Sequence, residues 1–131
     1  MKVLVSACLL GRPCRFDGGS KPSAAVLREV QGAELIPVCP EELAGLGTPR
    51  PAADLRGGDG HDVLEGRARV LRVEDGQDLT EAFLRGAELA ARRCDQAILK
   101  ARSPSCGVDR DGVFAALLRR RGVPLRTEED L

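Results

Sequence analysis

The chain of 131 residues contains no tryptophan and no tyrosine, three phenylalanines, one methionine and one histidine. Few aromatic rings mean few platforms on which a single-stranded nucleic acid would stack. Charge does not compensate, because 20 basic residues balance 20 acidic ones. This disfavours attachment to a phosphate backbone by bulk charge, and no nucleic-acid partner is expected. No apolar run approaches the roughly 20 residues needed to cross a bilayer, so no membrane partner is expected either. The opening residues have the outline of an export signal, with Lys2 followed by an apolar stretch, but that stretch breaks at Gly11 and meets Arg12, Pro13 and Arg15. It reads as a first strand and its loop, and the expected location is cytoplasmic.

What is present is an ordinary hydrophobic fraction, 43%, in a length that suits one domain over residues 1–131. Its core must be built from Leu, Val, Ile and Ala. Five cysteines are an odd number in a chain read as cytoplasmic. A disulfide framework is the weaker reading, and metal binding or thiol chemistry the better one.

Hydrophobic periodicity predicts strands at residues 2–7, 33–38 and 96–100, a less regular one at 67–73 and a short last one at 123–126. Helices are predicted over 22–30, 78–93 and 111–122. The first has Pro22 at its start and Gly32 as its stop; the second has Asp78 and Glu81 as a capping box; the third has Asp111 as N-cap and Gly122 as its stop. Residues 40–66, rich in Pro and Gly, are predicted to be irregular. Alternation of strand and helix predicts a small three-layer α/β/α, Rossmann-like domain with a mostly parallel sheet.

That arrangement gives the cysteines a pattern. Cys8 follows the first strand, Cys39 the second, and Cys106 lies in the loop after residues 96–100. Ligands of open α/β sheets bind beyond the carboxyl ends of the strands, where these residues can converge. Three thiolates suit a soft metal or an iron–sulfur cluster, and three ligands leave one corner of a cubane open. Helix N-termini and glycine-rich turns, with Gly107 and Gly112 around Cys106, offer compensation for the negative charge. The competing reading, in which each cysteine is a small buried hydrophobe, weakens when three occupy Pro/Gly-rich turns after three strands.

The segments "VSACLLGRPCRFDGG", "PVCPEELAGLGTPRPAADL", "GQDLTEAFLRGA" and "ILKARSPSCG…DGVFAALL" resemble the thiouracil desulfurase (desulfidase) family from Val3 to about Gly122. The resemblance implies a non-redox [4Fe-4S] cluster held by Cys8 in "SACLLG", Cys39 in "VCPE" and Cys106 in "SPSCG". It implies catalytic or substrate-contacting roles for Glu41 in "CPE" and Ser103 in "SPSC". The expected partner is a small thiolated nucleobase such as 2-thiouracil, or a related thio-compound. Its sulfur would bind the open iron and be replaced by water's oxygen, giving uracil and sulfide. Three positions depart from the family's pattern. Phe16 stands where Tyr is expected, "PAAD" at 51–54 replaces a more usual "PPAE", and Phe114 occupies a position expected to be small.

Two other readings use the same cysteines: a zinc-binding structural or regulatory module, and a thiol redox or sulfur-carrier protein with Cys106 as nucleophile. Cys14 shares the loop of Cys8 but is left out, because a fourth ligand would close the open iron. Cys94 is read as a structural thiol and His61 as a solvated loop residue. The Arg119–Arg121 run is read as a solvated helix end.

Overall fold

The short β-branched run after Met1 forms a strand buried on both faces, as strands inside a parallel sheet must be. In the computed structural model, which describes residues 1–108 and 110–131, this strand, β1 (Lys2–Ser6), lies at the centre of the main sheet. It pairs in parallel with β2 (Glu34–Val38) on one side and with β5 (Gln96–Leu99) on the other. Beyond β5 lies β6 (Leu125–Thr127), also parallel, so the strand order is β2-β1-β5-β6.

Alternation along these strands makes two cores. Val3 and Val5 of β1 and Ile98 of β5 face one side. There they meet Val26 and Val30 from helix α1 (Ala24–Glu29) and its end. Leu4, Ala97 and Leu99 face the other side and pack against α4 (Thr80–Ala90) and α5 (Val113–Arg120). Phe114 is fully buried in this second core. With helices on both faces of a parallel sheet, the fold is Rossmann-like α/β.

Residues 40–66 are not irregular throughout. They hold helix α2 (Pro40–Leu43), strand β3 (Ala53–Arg56) and helix α3 (Gly60–Leu64). β3 pairs antiparallel with β4 (Arg69–Arg72) in a separate two-stranded sheet. Each element is four or five residues long, too short to display a period. Cross-strand pairing and the Asp59 capping box on α3 specify them instead.

Three helix starts also differ from expectation. α1 begins after Ser23, whose hydroxyl accepts the Val26 N–H at 3.2 Å. At α4, Asp78 accepts the Thr80 N–H at 2.8 Å and pairs with Arg69, so the reciprocal box with Glu81 does not form. Asp111 does not cap α5, whose N-cap is Gly112. Its carboxylate turns instead to Arg119 at 2.8 Å and to His61 at 2.7 Å, an ionic partnership that outcompetes a neutral cap.

Candidate active site

The carboxyl ends of β1, β2 and β5 open into one cavity of about 440 Å³. Ser6 to Cys8 enter it from β1, Val38 to Glu41 from β2, and Lys100 to Cys106 from the loop after β5. Arg15, Phe16 and Lys21 close it from the loop before α1, and Arg50 from the segment after α2. Strand order reverses at β1, with β2 to one side and β5 to the other, which makes this the crevice where α/β sheets take ligands. Its size suits a small molecule.

All three thiols predicted from the strand ends line this cavity, and so do Glu41 and Ser103. Cys8 sits in a 3₁₀ turn (Ala7–Leu10) directly after β1, closed by Gly11 at φ +99°. Cys39 occupies the N-cap of α2, where Pro40 starts the helix. Cys106 lies in a loop whose backbone is stacked on itself. A Cβ on Gly112 would come within 2.5 Å of the Ser105 carbonyl, so only glycine permits the close approach.

A fourth thiol joins them. Cys14 is buried beside the other three and lines the same cavity. The Cys39 thiol donates to the Cys14 carbonyl at 3.7 Å. A hydrogen bond from Cys14 lowers the Cys8 pKa against the opposing effects of burial and of the neighbouring Cys106 and Cys39. Hydrogen bonding with Cys39 pulls Cys14 down, but its bond to Cys8 and its burial win, and it is pushed up to about 11. Hydrogen bonding to Cys14, and then burial, raise Cys39. Burial pushes Cys106 up to about 12, against hydrogen bonds from Ser6 and Ser105. Such thiols give up their protons when a metal takes them, and binding then rises with pH.

Glu41 is held from two directions. Arg50 donates through Nε to Oε1 at 3.2 Å, and the Ser105 hydroxyl donates to Oε2 at 3.1 Å. This ion pair is withdrawn from solvent, with 6% of the Arg50 side chain and 14% of the Glu41 side chain exposed. Arg50 is fixed in turn by the Gly47 carbonyl and the Thr48 hydroxyl, and its N–H reaches the Phe16 carbonyl at 2.7 Å. Ser105 and Ser103 hydroxyls lie 3.1 Å apart. Ser103 Oγ accepts the N–H groups of Ser105 and Cys106 at 3.2 and 3.1 Å. Sequence reasoning missed Arg50 and Ser105. Their signals, an Arg between two prolines and a Ser beside the cysteine of "SPSCG", are too common to stand out.

The remaining candidates lie elsewhere. Cys94 is half-buried and packs against the core below α4. His61 is not a solvated loop residue: it belongs to α3 and is hydrogen-bonded to Asp111 and Arg120. The arginine run is paired, Arg119 to Asp111, Arg120 to Glu65 and Arg121 to Glu88. Lys100 and Arg102, by contrast, line the cavity, and they pair with Glu128 and Glu129 at 2.9 and 2.8 Å.

Residues 3–130 match the 2-thiouracil desulfurase family. The chain belongs to it. This desulfurase-family chain is similar to the Bacillus subtilis (strain 168) protein YbbK, described as uncharacterized. The two are 35% identical over an alignment of 147 residues, covering 98% of this chain and 97% of that one. A solved structure described as a [4Fe-4S]-dependent thiouracil desulfidase, TudS, superposes with a TM-score of 0.82 at 39% identity. It covers 99% of this desulfurase-family chain and 92% of its own. The residues around the cavity fit the cofactor in that description. Soft sulfur donors from three strand ends converge on one opening, with cationic Lys100 and Arg50 beside them.

Proposed function

We propose that the protein removes sulfur from a thiolated pyrimidine base such as 2-thiouracil, converting C=S to C=O with consumption of one water and release of one sulfide. The observation that carries this reading is the gathering of Cys8, Cys39, Cys106, Glu41 and Ser103 around one small-molecule cavity at the sheet's switch point. A [4Fe-4S] cluster on Cys8, Cys39 and Cys106, when bound, would supply a thiophilic Lewis acid with one corner free of protein ligands.

The side chains around it handle protons and orientation. Glu41, directed into the cavity by Arg50 and Ser105, takes a proton from the incoming water or hands one to the base's ring nitrogen. Ser103 and Ser105 form a line of hydroxyls that ends on Glu41, so a proton reaching Ser103 has a continuous path to the carboxylate. Two backbone N–H groups already occupy the Ser103 oxygen, which leaves its hydroxyl hydrogen free to meet an acceptor on the substrate or on Ser105. Phe16, 43% exposed at the rim, offers a ring face to a flat heterocycle.

Anaerobic reconstitution with iron and sulfide tests the proposal. A brown protein that releases sulfide from 2-thiouracil is expected. E41Q and S103A should keep the iron but lose turnover by about a hundredfold or more, the usual scale of positioned proton transfer. C8S, C39S and C106S should each lose the cluster. A colourless product, or E41Q and S103A variants as active as the parent, would overturn the assignment. One tightly held zinc with no labile sulfide would replace it with the zinc-module reading.

A further inference from the structure

Cys14 is a buried thiol at the cavity that the desulfurisation chemistry does not use. It faces Cys39 and Glu42, and the sulfur atoms of the two cysteines and a carboxylate oxygen of Glu42 lie within 4.8 Å of one another. Two of these donors are built into one helical turn, with Cys39 at the N-cap of α2 and Glu42 three residues on. Glu42 is also oriented from behind: Thr48 donates its hydroxyl to Oε2 at 2.6 Å. Hydrogen bonding from an outer group to a ligating carboxylate is how metal sites fix their ligands. Thr48 is itself bonded to Arg50, which ties this arrangement to the wall of the cavity.

We propose that Cys14, Cys39 and Glu42 form a second metal site, for a thiophilic divalent cation such as Zn²⁺, in the protein before its cluster is installed. Two thiolates and a carboxylate are a zinc donor set, with one tetrahedral position left for water. A tetrahedral zinc site with Zn–S bonds of about 2.3 Å has ligand edges of about 3.7 Å, so the donors need close in by only about 1 Å. Binding releases the two thiol protons to solvent. Because the site takes Cys39, cation and cluster exclude one another. This last clause rests on the proposed assignment of Cys39 as a cluster ligand; the cation site itself does not.

Cobalt replaces zinc as the probe, since Co²⁺ on thiolates absorbs strongly. Cluster-free protein, titrated anaerobically with Co²⁺, is expected to take up one equivalent with a thiolate-to-cobalt band that Zn²⁺ abolishes. C14S and E42Q should each weaken binding tenfold or more, while C106S changes it less than twofold. E42Q alters a half-buried side chain, so it decides the matter if C14S does not fold by circular dichroism. Zinc added first should slow cluster insertion in the parent protein and not in E42Q. A cobalt band indifferent to C14S and E42Q, or weakened as much by C106S as by C14S, overturns the site. Cobalt binding as described in a protein that never assembles a cluster would instead sink the desulfidase reading and leave the cation site standing.

Discussion

Ser105 is a small side chain with a large share in orienting Glu41. It donates to the oxygen that Arg50 does not reach, and it touches Ser103 and the Cys106 sulfur as well. Removing one hydrogen bond to a charged group is worth about 1.5 kcal/mol, or roughly tenfold in rate if felt only in the transition state. S105A is therefore expected to lower kcat for 2-thiouracil about tenfold, with KM within twofold and iron content unchanged. Steady-state kinetics beside iron analysis separates this from a merely structural loss, which would lower iron and kcat together.

Asp111 shows the same scale away from the cavity. Burial pushes its pKa up, but hydrogen bonds from Arg119 and His61 outweigh this and hold it below its ordinary 3.8. Its folded-state partners thus stabilise the protein above pH 3.8 and cease to do so as acid protonates it. D111N should lower unfolding stability by about 1–3 kcal/mol at pH 7. Urea titrations should show that difference shrinking as the pH falls below 3.8, because the parent loses its carboxylate too. At this scale the convergence of Cys8, Cys39 and Cys106 on one cavity was legible, since strand ends and turn residues bracket them in the sequence, whereas the approach of Cys14 to Cys39 was not. Asp111 was not: the sequence shows a good cap beside a helix, and only the fold brings His61 and Arg119 close enough to claim it.

Among elements, the packing of α4 on α2 bears most directly on the site. Gly86 of α4 faces α2, and a Cβ there would meet the Pro40 carbonyl at 2.2 Å and Ala44 at 3.0 Å. Pro40 lies between Cys39 and Glu41, so any displacement reaches both. G86A, though it favours a helix intrinsically, is expected to cost about 1–3 kcal/mol through overpacking. It should also lower the cluster occupancy reached on reconstitution, which iron and sulfide analysis would register. The long strands and helices were legible from their hydrophobic period. α2, β3 and α3 were not, because four or five residues do not complete a pattern, and β3 owes its extension to β4 rather than to its own residues Ala53 to Arg56.

At the scale of the molecule, the two faces of the main sheet carry separate apolar clusters, with Cys106 in one and Cys8 and Cys14 in the other. Among the described residues, no buried side-chain nitrogen or oxygen lacks a hydrogen-bond partner. On the proposed cluster assignment, removing iron by anaerobic chelation is expected to leave the far-ultraviolet circular dichroism unchanged. The urea midpoint should fall all the same, because a group bound only by the folded state stabilises it by mass action. Collapse of the dichroism on chelation would mean that the cofactor holds the fold together. No helix among the described residues is long and apolar enough to cross a membrane.

The central place of β1 sets an order of events during synthesis. Its pairing with β2 closes over a short length of chain, whereas its other edge waits for β5, which emerges far later. Contacts so distant in sequence form slowly and late. A ribosome-bound chain can thus display Cys8 and Cys39 together while Cys106 is still untranslated. On the proposed assignment, the donor set of Cys8, Cys39 and Cys106 is therefore complete only after translation has passed that last thiol.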